Sequence, residues 1–169
     1  MKRTMIMVAL MLVLVIGTVG ADSVSSVGGE YIYRDGMSFG GLSSQNFGYF
    51  DSQIGYFIGG NAGFNLSGGT NWTMNLIAGP SFRYHFNETK MYFDAAAGLS
   101  LSGTWASDRA FEAGIGGSFG ACYEVTEKIS LLIGTSIGYD MLRVDLETGA
   151  IGFGGSFYCI PSMSVGFSY

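Results

Sequence analysis

The stretch from Trp72 to Trp105, WTMNLIAGPSFRYHF-NETK-MYFDAAAGLSLSGTW, decides how this chain folds. Two long segments, Trp72–Phe86 and Met91–Trp105, flank the compact polar turn Asn87–Lys90. Within each segment every second residue is apolar, and the residues between them are small or polar. Side chains of a β-strand alternate between two faces with period two. The stretch therefore predicts two antiparallel strands joined by a tight turn.

The same alternation continues on both sides of this stretch. A second short polar turn, Thr126–Lys128, separates two later segments. In the earlier segments glycines make the alternation less regular, but a period of two residues is still recognisable. The pattern predicts six further strands, which are Val24–Arg34, Ser38–Tyr49, Ile54–Leu66, Phe111–Val125, Ile129–Arg143 and Gly155–Tyr169. The connections predicted opposite the short turns are Asp35–Phe39, Ser67–Asn71, Ala106–Ala110 and Val144–Gly154.

The two faces of the predicted strands differ in composition. One face is almost continuously apolar, with Leu76, Leu99, Ile115 and Ile133 near its middle, and the other holds mainly Gly and Ser. A water-facing surface carries about 25–35% charged residues, whereas the whole chain has only 12%. A narrow eight-stranded barrel instead fills its lumen with side chains. We therefore expect the apolar face to point to lipid.

Aromatic residues lie toward both ends of the apolar face. Two aromatic girdles that flank an aliphatic band are typical of strands that cross a membrane. The predicted girdles are Trp72, Trp105, Phe111 and Tyr139 at one end, and Phe86, Phe93, Tyr123 and Tyr169 at the other. The chain is thus predicted to be all-β, an eight-stranded antiparallel up-and-down transmembrane barrel.

The first 21 residues predict a helical signal peptide that is cleaved. Lys2 and Arg3 precede an apolar run, Met5–Ile16, and small residues then lead to Ala21. This order is that of a secretory signal, and the run is too short to span a bilayer as a helix. Residues 22–169 are then the barrel domain.

The charge of the chain bears on its partners. The formal net charge is −5 with the two signal-peptide cations included, and phosphate backbones require a basic surface. Nucleic acid is therefore excluded as a partner. With 2 Cys and 1 His, neither a disulfide framework nor a metal site is expected, and we expect no cofactor.

The polar face predicts a buried network of charges. If Phe86 and Met91 flank the turn as partners, Arg83 lies directly opposite Asp94, close enough to interact. Glu30, Glu112, Glu124 and Asp140 are candidates to join this pair inside the narrow lumen. Two interpretations stand: a structural plug that satisfies buried polar groups, or a gate for ions or small solutes.

His85 raises the question of catalysis. It is predicted to face inward beside Arg83, without an ordered Ser partner that would make it a catalytic base. We therefore predict no enzyme. Cys122 and Cys159 are expected on opposite faces of non-neighbouring strands, out of disulfide reach.

A signal peptide, eight alternating strands and the terminal Gly166-Phe167-Ser168-Tyr169 together resemble the small outer-membrane barrels of the OmpX, OmpW and OmpA-domain type. The resemblance implies an outer-membrane protein with periplasmic termini, whose last strand presents Phe167 and Tyr169 to the barrel-assembly machinery. We expect a monomer surrounded by outer-membrane lipid. Two functions follow as alternatives: a structural or surface-interaction role in the envelope, or a narrow porin-like channel. A soluble ligand-binding barrel remains a third class.

Overall fold

Eight antiparallel strands form the protein. The computed structural model describes residues 22–51, 53–67, 71–105 and 109–168, so the predicted signal peptide lies outside the described residues. Neighbouring strands pair in chain order and the first strand also pairs with the last, so the sheet closes into a barrel. The predicted fold is confirmed. The strands are β1 Asp22–Arg34, β2 Met37–Tyr49, β3 Ile54–Asn65, β4 Trp72–His85, β5 Met91–Trp105, β6 Arg109–Thr126, β7 Ile129–Asp145 and β8 Ile151–Ser168.

The barrel has two ends. The start of β1, the end of β8 and the β2–β3, β4–β5 and β6–β7 junctions lie at one end, called here the terminal end. The remaining connections lie at the far end. Within the described part of the chain, no helix is long and apolar enough to cross a membrane, a finding that concerns helices and not strands.

Two predicted far-end loops are shorter than the sequence analysis indicated. In place of the predicted loop Asp35–Phe39, the structure has the two-residue turn Asp35-Gly36. Its φ angles of 48° and 79° are those that a twisted β-hairpin requires. The predicted loop Val144–Gly154 shrinks to residues 146–150, because β7 and β8 pair as far as Val144 and Ile151. Both predictions were wrong because hairpin pairing continued through polar and Gly-rich residues.

The apolar face of the sheet points outward. Leu99 is 71% exposed, and Ile115 and Ile133 are exposed on the same outer surface. Phe47, Phe57 and Ile77 are instead buried inside the barrel. In water such an outer surface would be unfavourable, since transfer of apolar area from water stabilises by about 25 cal/mol per Å². The same surface is suited to a hydrocarbon environment.

The two prolines interrupt pairing without shifting it. Pairing between β4 and β5 stops after Ala78–Leu99 and resumes at Ser81–Ala96 in the same register, on either side of Pro80. Pro161 breaks the β1–β8 ladder in the same way. Proline lacks the N–H that a ladder bond needs, so a local gap is the expected result. Neither proline is accompanied by a register shift on these ladders.

The register shifts occur instead on the strands around β7. Where β6 meets β7, one falls between Ala113 and Gly114 and another between Glu124 and Thr126, and where β7 meets β8, a third falls between Asp140 and Leu142. A bulge adds a residue and reverses the facing of the side chains beyond it. Unbroken alternation from Ile133 along this segment predicts Arg143 on the apolar face. That was wrong, since Arg143 pairs with the inward Glu112, while Leu142 turns outward.

Candidate functional site

Arg83 and Asp94 form one charged cluster in the lumen, near the terminal end. They are direct partners across β4 and β5. The Arg83 Nε donates to Oδ1 and its Nη2 to Oδ2 of Asp94, both at 2.7 Å. This fork-to-carboxylate arrangement is the strongest geometry that an arginine offers.

Two tyrosine rings enclose the Arg83 guanidinium. Its Cζ lies 4.1 Å from the ring centre of Tyr49 and 3.9 Å from that of Tyr92. The Tyr49 hydroxyl also donates to Asp94 Oδ1 at 2.8 Å. Buried cation–ring contacts add to the ion pair, so Arg83 is held by charge, hydrogen bonds and stacking together.

A second charged cluster lies in the lumen near the far end, around Arg34. The guanidinium pairs with Asp140 through Nη2, and its Nη1 lies 3.7 Å from Glu112 Oε2. The hydroxyls of Ser100 and Ser102 each donate to Asp140 at 2.8 Å. Arg34 is only 1% exposed, and its partners come from β5, β6 and β7, none of which pairs directly with β1.

Arg34 was missed by sequence reasoning. It is the last residue of β1, the strand with the weakest alternation. The available signal was the pair Tyr31 and Tyr33, which are exposed on the outer face and thereby direct Arg34 inward. Its partners Asp140 and Glu112 are far away in the chain, so only closure of the barrel brings them to it.

The single predicted network is thus divided into two. Asp94 belongs to the Arg83 cluster, whereas Glu112 and Asp140 belong to the Arg34 cluster. No ion pair or hydrogen bond joins the Glu124 side chain to another residue in the described ranges, and it lies beside the turn at 127–128. Glu30 is half-buried, and its Oε1 has no hydrogen-bond partner among the described residues.

Apolar side chains fill the lumen between the clusters. These apolar side chains form a central layer. At one edge of the layer Tyr49 contacts Arg83, and at the other the ring centre of Tyr158 lies 5.3 Å from the Arg34 Cζ. The Phe47 and Phe57 rings are 4.6 Å apart at its middle. The other members of this central layer are Ile32, Phe39, Ile77 and Ile160. A lumen cavity beside Asp94 and Ser118 measures about 20 Å³, about the space of one water.

The outer face carries aromatic side chains at both ends. Trp72 and Trp105 stack at the far end with ring centres 3.8 Å apart, and Phe111 meets Trp105 edge-on at 5.5 Å. Tyr139 also lies on this outer face. At the terminal end Phe86, Phe93, Tyr123 and Phe167 are exposed, while Tyr169 lies outside the described residues. The sequence analysis missed Tyr31, Tyr33 and Phe64, which extend the far-end group onto β1 and β3.

His85 and the two cysteines are the remaining side chains considered for chemistry. His85 is exposed, and its ring lies 5.5 Å from that of Tyr92. Cys122 is buried against Asp94, and Cys159 lies on β8; both are free thiols. In the part of the chain that the structure describes, no three His, Cys, Asp or Glu side chains are grouped to hold a metal ion.

The fold is similar to that of several solved structures. Neisserial surface protein A is 17% identical with a TM-score of 0.59, over 88% of this chain and 96% of that one. The N-terminal β-barrel domain of Pseudomonas aeruginosa OprF is 14% identical with a TM-score of 0.54, over 86% and 97%. Ail, the attachment invasion locus protein of Yersinia pestis, is 15% identical with a TM-score of 0.52, over 89% and 100%.

Sequence comparison adds no nearer relative. No protein-family model and no curated protein matches the chain. The architecture and the structural similarity agree over nearly the whole described length. The chain therefore has the fold of the small eight-stranded outer-membrane β-barrels.

Proposed function

We propose that this chain is an integral protein of the bacterial outer membrane, with a structural or surface-interaction role in the envelope and no catalytic activity. The observation that carries the proposal is the filled lumen, in which an apolar layer separates two ion-paired clusters. A barrel with a filled lumen can interact with partners through its surface, but it has little room to pass solutes through its interior. Two of the similar structures are named as a surface protein and an attachment protein, which supports the same kind of role.

A conductance measurement distinguishes a structural or surface-interaction role from that of a narrow porin-like channel. We expect the purified barrel to give no stable unitary steps in planar bilayers, because buried apolar side chains pack in the lumen between the two charged clusters. Phe47→Ala with Phe57→Ala would remove the ring pair at its centre, and new steps in that variant alone would identify the layer as the barrier. Uniform steps from the wild-type protein would favour the channel.

The location is proposed from the outward apolar face and its aromatic ends. The protein should fractionate with the outer membrane and show heat-modifiable mobility on gels, and the mature chain should begin at Asp22 after cleavage of residues 1–21. A soluble ligand-binding barrel would stay in the aqueous fraction. Sedimentation in detergent should give the mass of a monomer.

The orientation is proposed with both termini in the periplasm. An epitope inserted between Thr148 and Gly149, in the far-end turn, should be accessible to antibody on intact cells. The same epitope between Glu127 and Lys128, in a terminal-end turn, should become accessible only after permeabilisation. The reverse result would contradict the orientation.

The last strand is proposed to present Phe167 and Tyr169 to the barrel-assembly machinery. Phe167→Ser should slow membrane assembly in cells, whereas spontaneous folding in detergent should proceed. Phe157→Ser is the matched control, because Phe157 is also an outward phenylalanine of β8 but lies toward its other end. Equal assembly defects in the two variants would contradict a specific signal.

A further inference from the structure

An apolar groove lies on the outer wall of the barrel at the far end, across β4 to β7. Its volume is about 320 Å³, within the range of about 300–1,000 Å³ that small-molecule sites occupy. Met74 and Leu76 form one side, and Leu142 and Val144 form the other.

Small residues make the floor of the groove. Gly103 on β5 and Ala113 on β6 both lie there, outward and between the larger Leu101 and Phe111. A Cβ at Gly103 would come within 2.5 Å of the Trp105 ring, so that ring lies directly over the glycine. The groove therefore has an aromatic rim at its far end.

The bulge in β7 creates the second side. Because the register shifts at Asp140–Leu142, Leu142 and Val144 turn outward while Arg143 turns inward to Glu112. The apolar surface then continues onto the hairpin tip, where Phe153 is 91% and Ile151 is 70% exposed.

One cation stands at the rim of the groove. Arg109 pairs across the ladder with Trp105 and shares the outward face of β6 with Phe111. Of the four arginines in the described strands, Arg34, Arg83 and Arg143 are engaged in the lumen, and Arg109 alone faces outward. Among the residues that the structure describes, no carboxylate forms an ion pair with it.

We propose that this groove binds an anionic, phosphate-bearing membrane lipid, with one acyl chain along Ala113, beside the Trp105 ring that covers Gly103, and the phosphate at Arg109. An arginine binds phosphate through paired N–H donors, and the groove offers apolar contact on three sides. The lipid chemistry follows from the conjunction of the outward Arg109 with an apolar groove on the membrane-facing wall. The inference rests on the proposed membrane location, with the far end at the outer leaflet.

Tryptophan fluorescence tests the inference directly. The chain has 2 tryptophans, and both lie stacked beside the groove. In nanodiscs of phosphatidylcholine, a small fraction of phosphatidylglycerol with brominated acyl chains should quench their emission about fivefold more effectively than brominated phosphatidylcholine. The preference should fall as salt screens the Arg109–phosphate contact.

Two variants and two matched controls locate the site. Arg109→Gln and Ala113→Phe should each reduce quenching by brominated phosphatidylglycerol to the level of phosphatidylcholine. Lys128→Gln removes a cation at the opposite end, and Ala121→Phe enlarges another outward alanine of β6, so both should leave the preference unchanged. Heat-modifiable mobility of every variant confirms that the barrel is folded and embedded.

Equal quenching by the two lipids in an embedded barrel would overturn the inference, since it would show ordinary lipid contact only. If the protein sedimented as a dimer and both lipids failed to quench the tryptophans, the inference would also be overturned, because a second copy of this chain would then occupy the groove. Failure of the protein to enter nanodiscs would instead contradict the proposed location, which keeps the two failures distinct.

Discussion

The two buried arginines of the lumen are held in different ways. Arg83 meets Asp94 across one hairpin, 11 residues away in the chain, and is 8% exposed between two tyrosine rings. Arg34 meets Asp140 across the barrel, 106 residues away, and is 1% exposed. The first pair follows from a single turn, whereas the second exists only when the whole sheet has closed. The comparison separates local from global sources of stability in one molecule.

The partners that remain after loss of each arginine also differ. Asp94 would retain the hydrogen bond from the Tyr49 hydroxyl. Asp140 would retain two serine hydroxyls, but Glu112 also loses its buried cation. A carboxylate left buried without a counter-charge is strongly destabilising. The far-end cluster should therefore be the more sensitive of the two.

The largest effect is expected from Arg34→Met. It leaves Glu112 and Asp140 together in the lumen without Arg34, and should lower the free energy of unfolding by about 3–5 kcal/mol. Urea titration of the barrel in detergent micelles measures the change. Arg143→Gln is the control, because Arg143 also contacts Glu112 but its side chain is 44% exposed, so its loss should cost at most about 1 kcal/mol. Equal losses in the two variants would contradict the ranking.

A smaller effect is expected from Arg83→Met. Removing the forked pair and both ring contacts should cost about 2–3 kcal/mol, with a lower melting temperature in detergent. Arg83→Lys should recover only part of this, since lysine keeps the charge but not the planar fork. An unchanged melting temperature for Arg83→Met would refute a stabilising role for this cluster.

The double variant tests whether the two clusters are independent. They share no partner in the described residues, so the losses from Arg34→Met and Arg83→Met should add within about 0.5 kcal/mol. The measurement is a double-mutant cycle by urea titration. A larger coupling would support the single network that the sequence analysis predicted, and would mean that the apolar layer transmits strain between the clusters.

The smallest effect is expected outside the lumen, at Asp51. The backbone N–H groups of Ile54 and Gln53 donate to its carboxylate at 2.6 and 2.7 Å and hold the pKa of Asp51 below its ordinary value of 3.8. A carboxyl group whose pKa is lower in the folded state than in the unfolded state stabilises the fold at pH values above its unfolded-state pKa. This stabilisation is lost as the pH falls through the folded-state pKa. Asp51→Asn should therefore narrow the difference between urea midpoints at pH 7 and pH 3. An unchanged difference would show that this turn is energetically neutral.

The candidate site could be predicted only where its contacts are local. Arg83 and Asp94 flank a four-residue turn, so strand period and turn length were enough to place them opposite each other. Arg143 was misplaced because a bulge reverses the facing beyond it, and no residue near Met141 signals that bulge. Arg34 was missed because its partners Glu112 and Asp140 lie 78 and 106 residues away in the chain, on strands that do not pair with β1.

By itself the sequence determined the number of strands, their order and the outward direction of the apolar face. These follow from a period of two residues and from turns that join neighbouring segments, which are local properties of the backbone. Only the tertiary structure decided how the lumen is divided and where the outer wall forms a groove. Both depend on register shifts and on contacts made when β1 closes against β8, and such contacts join residues that no short stretch of sequence contains together.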